Sequence, residues 1–318
     1  MAGRHREVDA ACTLTAAVLR CKMNFNLETT VERGPSHCRS AMPCLPSLLA
    51  SLLSQHNPPD SMPPSMQHDL LSTFNQYFEL VHADTEALRE QVFKLRYQVY
   101  VLETGFEAEA DCKRGLDASG QLIGWEEDEF DARSDHYLLR HRRTGVYAAT
   151  TRLILPLSEA PDAPYPIELH CTLDERVSDP SLRVHLGEIS RFAVSKIFKR
   201  RLGEAGSLAG VAADIEVYLK DDERRILPHI SLGLFAAVMR MAHAHGISRC
   251  YAVMEPALVR LLGRFGVVFR RIGPDIEYHG LRVPCITTAD ESLPSIRRVS
   301  PQIWDLITNR GEFFIADA

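Results

Sequence analysis

The hydrophobic positions of this chain divide it into a stretch without period and a stretch with several. Over residues 1 to 66 apolar side chains recur at neither helical nor strand spacing, and prolines interrupt them at Pro35, Pro43, Pro46, Pro58, Pro59, Pro63 and Pro64. Leu45–Leu53 is a short apolar patch within that segment. Such a segment buries too little apolar surface to offset chain entropy, which predicts a mostly disordered extension ahead of a folded domain over 67–318. Periodic signal begins near Phe74, where Phe74, Tyr77, Phe78, Leu80 and Val81 predict an opening strand or aromatic anchor. Thr85 then stands where an N-cap belongs, with Glu86 in the first turn, and Leu88, Val92, Leu95 and Val99 follow at helical spacing.

Glu103–Gly124 is irregular and rich in glycine and acid, which predicts a long loop of the kind that covers a site. Tyr137–Arg140 and Val146–Leu155 read as two strands joined by a turn at His141–Gly145, an antiparallel hairpin. Pro156–Pro166 is a proline-rich loop, and Gly187–Val194 a short buried strand. A helix is expected over Leu227–Ala244, stopped by Gly246, then a strand at Cys250–Met254. Pro256 opens a further helix to Phe265, closed by Gly266. Val267–Ile272 and Leu281–Ile286 read as the last strands, and Ser300–Asn309 as a short terminal helix. Helices interleaved with an antiparallel hairpin and later strands imply an α+β domain with a mixed central sheet.

Composition narrows the function classes. With 318 residues, 45% of them hydrophobic, the chain can bury one substantial core. Its 36 basic residues against 42 acidic ones give a formal charge of -6, which argues against a nucleic-acid binder. No window approaches the roughly 18 consecutive apolar residues a membrane span needs. Near the start, Ala10–Leu19 is broken by Cys12, Thr13 and Thr15 and does not read as a secretory leader, so a cytoplasmic protein is expected. The 8 cysteines include no Cys-x-x-Cys pair, and Cys12, Cys21, Cys38 and Cys44 fit no zinc pattern. Free thiols are expected, and no metal is assigned. His243 and His245 point apart on their helix, and Gly203, Gly206 and Gly210 match no phosphate-loop spacing.

The chemistry concentrates in Gly187-Glu188-Ile189-Ser190-Arg191-Phe192-Ala193-Val194, where two opposite charges sit inside an apolar strand. A lone buried charge costs several kcal/mol, so each of the two is either paired or working. An internal ion pair between Glu188 and Arg191, or two charges on an edge face, is the bland reading. Elsewhere the ionic residues set at the edges of apolar runs are Arg96, Asp128, Asp131 and Arg152, with Tyr100 one helical turn after Arg96.

Taken in order, Arg96-x-x-x-Tyr100-x-x-x-x-x-Phe106, Glu126-x-Asp128-x-Phe130-Asp131, Arg152-Leu153 and Glu188-Ile189-Ser190-Arg191-Phe192 resemble the acyl-homoserine-lactone (autoinducer) synthases of the GNAT-like acyltransferases. Leu95-Arg96-Tyr97-Gln98-Val99-Tyr100 and the stretch from Glu188 to Val194 are closer still to the N-acyl amino acid synthases and the acyltransferases associated with the PEP-CTERM exosortase system. The resemblance spans roughly residues 74–310 and implies a GNAT-like fold. It also implies a donor acyl group on phosphopantetheine, of acyl carrier protein or coenzyme A, an amine acceptor and no permanently bound cofactor. The autoinducer synthases carry tryptophan where this chain has Phe106, in the loop over S-adenosylmethionine, which favours an ordinary amino acid as acceptor. Trp125 is close by but off that position, and is kept as a substrate-binding candidate.

Aminolysis of a thioester needs a base for the amine, donors for the oxyanion and a stable thiolate. Glu188 is the candidate base, and the backbone N–H groups of Phe192, Ala193 and Val194 are candidate oxyanion donors. Arg152 and Arg191 offer guanidinium forks for an acceptor carboxylate, and Asp128 and Asp131 carboxylates for its ammonium. Lys196, Lys199, Arg200 and Arg201, with Arg140, Arg142 and Arg143 on the hairpin, form basic clusters suited to an acidic carrier protein. Two rival readings are a homoserine-lactone synthase using S-adenosylmethionine and a non-catalytic acyl-binding protein of the same fold.

Overall fold

A computed structural model describes residues 69–116, 120, 122–174, 176–198, 229–278 and 280–314. These all fall in one unit, Pro63–Ala318. The extension expected over 1–66 lies outside the described residues, as do Lys199, Arg200 and Arg201.

The described chain opens with helix α1 (Leu70–Tyr77), which buries Leu71 and Phe74, and passes directly into strand β1 (Phe78–His82). The aromatic run read as one element is therefore two. Leu71 and Phe74, three apart, share a helix face, and extended backbone starts only at Phe78. Helix α2 (Glu86–Tyr97) begins as expected, with the Thr85 hydroxyl accepting from the Leu88 N–H at 3.3 Å. It continues as a π-helical turn, Gln98–Glu103, whose loosened carbonyls of Val99 and Tyr100 accept from the Thr104 hydroxyl. The expected lid loop is thus partly this turn and partly a two-stranded ribbon, β2 (Lys113–Leu116) with β3 (Leu122–Trp125). Strands of four residues are too short for alternation to show in sequence. The ribbon packs on α2 at Gly124, where a Cβ would come within 2.3 Å of the Tyr97 ring.

Strands β4 (Ser134–His141) and β5 (Tyr147–Ile154) form the expected hairpin, and β6 (Leu186–Val194) pairs antiparallel with β5. Helix α3 (Pro166–His170) and helix α4 (Pro180–Arg183) interrupt the expected proline-rich loop region and its continuation. After helix α5 (Ile230–Ala244) come β7 (Arg249–Met254), helix α6 (Pro256–Arg264), β8 (Arg270–Arg271), β9 (Ile276–Glu277) and β10 (Leu281–Thr288). Helices α7 (Ala289–Val299) and α8 (Pro301–Thr308) close the described fold. The sequence reading has no counterpart of α7, because Pro294 inside it reads as a helix breaker.

The sheet runs β1-β4-β5-β6-β7-β10-β8, with β9 beside β10. Every neighbouring pair is antiparallel except β6 and β7. This is the expected α+β fold with a mixed sheet. One face carries Leu153, Ile189 and Ala252 into the main core beneath α5, α7 and α8. On α5 that core wraps nearly the whole helix, and Gly233 leaves room for the Phe74 ring of α1, which a Cβ would meet at 2.3 Å. The opposite face carries Ile154, Leu186 and Tyr251 into a smaller cluster with Tyr165 and Ile167.

Two irregularities in β6 position the site. Its parallel pairing with β7 runs from Leu186↔Arg249 to Ile189↔Ala252 and stops, although both strands continue. On the other edge, pairing with β5 jumps from Arg152↔Ser190 to Thr150↔Ala193, so Arg191 and Phe192 together oppose Thr151. Arg191 accommodates this bulge with φ 50, in the left-handed region that non-glycine residues rarely occupy.

Candidate active site

Strict alternation along β6 would place Arg191 on the face opposite Glu188 and Ser190, among the apolar groups under α5. The extra residue of the bulge prevents this. Arg191 instead reaches Glu126 and Asp128, which precede β4, while Phe192 and Val194 turn to the main core and Ala193 packs with Val92, Leu95 and Val99 of α2 and its π turn. The left-handed backbone at Arg191 is the local strain that buys this geometry.

Around Arg191 three guanidinium groups meet three carboxylates. Arg96, fully buried on α2, donates from Nε to Glu126 Oε2 at 2.5 Å and from Nη1 to Asp131 Oδ1 at 2.7 Å. Arg152 on β5 donates from Nη1 to Asp128 Oδ1 at 2.6 Å and to Asp131 Oδ1 at 2.7 Å, and from Nε to the Ser190 hydroxyl at 2.9 Å. Arg191 donates from Nη2 to Glu126 Oε1 at 2.8 Å and to Asp128 Oδ2 at 2.9 Å. Asp131 Oδ2 accepts from the Asp128 N–H at 2.8 Å, closing a capping box on the 3-10 turn Glu129–Arg133.

Electrostatics follows from this pairing. Burial alone would raise the three carboxylates, but the arginines outweigh it and hold Glu126, Asp128 and Asp131 below their usual range. Tyr100 lies with its ring 5.6 Å from the Arg191 guanidinium carbon, and burial pushes its phenol up to about 12 despite the neighbouring arginines. His136 faces the same network, its Nε2 3.6 Å from Asp131 Oδ1, yet neither ring nitrogen has a hydrogen-bond partner. Burial holds it neutral, with its pKa down to about 4.

Glu188 is buried quite differently. It stands on β6 opposite Ile154 and beside Tyr251, with 3% of its surface exposed, one residue before β6 and β7 cease to pair. Its carboxylate accepts one hydrogen bond, from the Ile167 N–H to Oε2 at 3.0 Å, and forms no ion pair with Arg191 or any other described residue. Desolvation dominates, and its pKa is pushed up to about 7 against the opposing pull of the Ile167 N–H and Arg152.

The structure therefore brings Arg96, Tyr100, Asp128, Asp131, Arg152 and Arg191 into one network, with Glu188 two residues from Ser190 on the adjoining part of the same face. Glu126, quoted in the sequence motif but assigned no role, is the acid that links Arg96 to Arg191. Its alternation with Asp128 in a run of five acids gave no means of telling it from the exposed Glu127. The arginines read as forks for a substrate carboxylate, and the aspartates read as partners for an ammonium, here satisfy one another.

Phe106 donates its N–H to the Tyr100 carbonyl at 2.7 Å, and the Arg282 guanidinium carbon lies 5.8 Å from its ring centroid. Trp125 lies on the ribbon, packed over Gly115 with the Lys94 ammonium 5.8 Å from its ring. Lys196 is bound to Glu103, its ammonium to the carbonyl and its N–H to Oε2 at 2.7 Å. Arg140 pairs with Glu79 at 2.5 Å, and Arg142 donates to the Asn75 carbonyl at 2.7 Å. Among the described residues no group of histidine, cysteine, aspartate and glutamate is arranged to hold a metal ion. The cysteines among them, Cys112, Cys171, Cys250 and Cys285, are free thiols. No described helix is long and apolar enough to cross a membrane.

A mixed sheet whose two parallel central strands part beside a buried carboxylate has the form of an acyltransferase of the GNAT type. Residues 95–208 match the acetyltransferase (GNAT) domain family. No curated protein matches the chain. Similar solved structures include TofI in a ternary complex with an inhibitor and MTA, 19% identical over 71% of this chain and 99% of that chain, TM-score 0.45. Another is the CoA-dependent acyl-homoserine lactone synthase BjaI with SAM and isopentyl-CoA, 18% identical over 74% and 88%, TM-score 0.44. A third is FeeM, an N-acyl amino acid synthase from uncultured soil microbes, 12% identical over 70% and 96%, TM-score 0.39.

Proposed function

We propose that this acyltransferase moves a long-chain acyl group from the phosphopantetheine thioester of acyl carrier protein to the amine of an amino acid, giving an N-acyl amino acid. The observation that carries the reading is Glu188, a buried carboxylate with its pKa near 7, placed one residue from the parting of β6 and β7. A base poised near the working pH is partly ionised and can take the proton that a neutral amine gives up as it attacks. The parted strands leave the β6 edge beyond Ile189 without a strand neighbour on that side, so its backbone groups are available to a ligand's amides and to the thioester carbonyl.

In the step itself the acceptor nitrogen attacks the thioester carbon. The C–N bond forms, the proton released from nitrogen passes to Glu188, the C–S bond breaks, and the thiolate leaves and takes up a proton. The arginine–carboxylate network holds the bulge of β6, and with it Ser190 and the strand edge, in one geometry while this happens. Phe106, in place of the tryptophan expected of a lactone-forming relative, supports an amino acid as acceptor. A carrier protein as donor is supported by Lys199, Arg200 and Arg201, which follow β6 in sequence and lie outside the described residues; Lys196, Arg140 and Arg142, engaged within the fold, lend it less support.

Purified protein given long-chain acyl carrier protein should release thiol only when a free amino acid is supplied, with the N-acyl amino acid seen by mass spectrometry. Release that depends on S-adenosylmethionine and yields a lactone would contradict the acceptor. Equal turnover of acyl-coenzyme A would contradict the carrier-protein donor and leave a thioester acyltransferase of broader scope.

A further inference from the structure

Arg183 makes no contact with the arginine–carboxylate network and is not used in the step above, yet it is among the most completely buried side chains described, 1% exposed. Its guanidinium makes five hydrogen bonds. Nε donates to the Pro161 carbonyl at 2.7 Å, Nη1 to the Val177 carbonyl at 2.8 Å and Glu168 Oε1 at 2.7 Å, and Nη2 to the Ala163 carbonyl at 2.9 Å and Glu168 Oε2 at 3.1 Å. A guanidinium has five N–H donors, so the group is saturated. Three of those acceptors are backbone carbonyls from a segment that otherwise has little regular structure.

The other end of this clamp leads to the site. Glu168 Oε2 also accepts from the Tyr165 N–H at 3.0 Å, and the Glu168 N–H donates to the Tyr165 carbonyl at 2.9 Å, which ties the first turn of α3 to its cap residue. Tyr165 is held between the guanidinium groups of Arg133 and Arg183, at 5.0 and 5.4 Å, and its hydroxyl donates to the Leu186 carbonyl on β6 at 2.5 Å. Two residues past Tyr165, the Ile167 N–H donates to Glu188. A continuous series of short contacts thus joins Arg183 to the carboxylate, through Glu168 and one turn of helix.

We infer that Glu168 and Arg183 are positioning residues for Glu188: they hold the first turn of α3 so that the Ile167 N–H fixes one oxygen of the carboxylate and leaves the other for the proton. The inference rests on the reading of Glu188 as the base. It accounts for why a fully saturated buried arginine is spent on a loop segment, and it is specific about which contact transmits the effect.

The test compares turnover of acyl carrier protein and amino acid against pH for the full chain and three variants. Glu168→Ala frees the turn, and losing the Ile167 N–H that favours the ionised form should move the kcat midpoint up by as much as about one pH unit, outweighing the smaller downward pull from loss of Glu168's own charge. At pH 7 and below, kcat should then fall by up to about tenfold, with KM for the donor within about twofold of wild type. Glu168→Gln keeps an oxygen for the Tyr165 N–H and should bring the midpoint back to the wild-type value or just below it, since the charge it removes also raises Glu188. Arg183→Lys retains a cation beside Glu168 but loses most of the carbonyl contacts; it should shift the midpoint the same way by less, and serves if Glu168→Ala does not fold. A fall in melting temperature with an unmoved midpoint in either variant would overturn the positioning role. Glu188→Gln, run in parallel, separates the two claims. If it turns over like wild type, both the base and its positioning fall; if it is inactive while the midpoints stay put, only the positioning falls.

Discussion

Two groups of buried carboxylates lie on one face of this sheet and behave oppositely. Glu126, Asp128 and Asp131 are each bonded to at least two guanidinium groups, and the arginines hold them ionised well below pH 7. Glu188, a short way along the same strand face, has one backbone N–H for company and is held half protonated near neutrality. Desolvation acts on both and differs in outcome only because partners are present in one place and not in the other. On the proposed reading, the paired acids build the geometry and Glu188, without a cationic partner, is the one left to move a proton.

Removing a cation from the first group should have the largest effect. Arg96→Met leaves Glu126 and Asp131 each short of a buried partner and should cost on the order of 3–5 kcal/mol of stability by urea denaturation at pH 7. A loss below about 1 kcal/mol would mean the network is less dry than its burial indicates.

Removing the charge from the second group should act in the other direction. The folded-state pKa of Glu188 lies above its ordinary value of 4.5, so the folded protein binds more protons than the unfolded chain between about 4.5 and about 7. Stability from this group therefore falls as pH rises through that window and stays low above it. Glu188→Gln should be more stable than wild type at pH 8, on the order of 1–3 kcal/mol, and the gain should vanish near pH 4. The network carboxylates have the opposite sign, since their lowered pKa values contribute stability above about pH 4 that is lost on acidification. Equal stability of Glu188→Gln and wild type at both pH values would place Glu188 in a wetter setting than its burial implies.

The smallest effect belongs to the surface. Arg140 pairs with Glu79 where both side chains are substantially exposed, and Arg140→Ala should cost less than about 1 kcal/mol. Its KM for acyl carrier protein should stay near wild type at low salt; a steep rise would restore the hairpin to the docking surface.

How much of this was legible beforehand depended on whether a signal is local. The helix after Thr85, the β4–β5 hairpin and the strand holding Glu188 show in sequence because cap, turn and apolar run are adjacent in the chain. Arg96, Asp128, Asp131, Arg152 and Arg191 stand out as charges at the edges of apolar runs, and they do meet. Which charge pairs with which does not show, since it depends on one extra residue in β6 that turns Arg191 to the face of Glu126. The Glu188–Arg191 ion pair entertained from proximity in sequence is absent for the same reason. Helix α7 is hidden by Pro294, and the short ribbon by strands of four residues. Arg183 and Glu168 are hidden most thoroughly, because they sit in helices of four and five residues, too short for a period to mark their charges as buried.

The central claim, that Glu188 takes the proton from the acceptor amine, is tested most directly by the pH dependence of kcat/KM for the amine. Wild type should show a limb rising with pH and a midpoint near 7, apart from the acceptor's own titration at higher pH, and Glu188→Gln should lose that limb along with about 10²–10⁴-fold of its turnover at pH 7.5. A limb that persists unchanged in Glu188→Gln, or turnover within a few fold of wild type, would contradict the account.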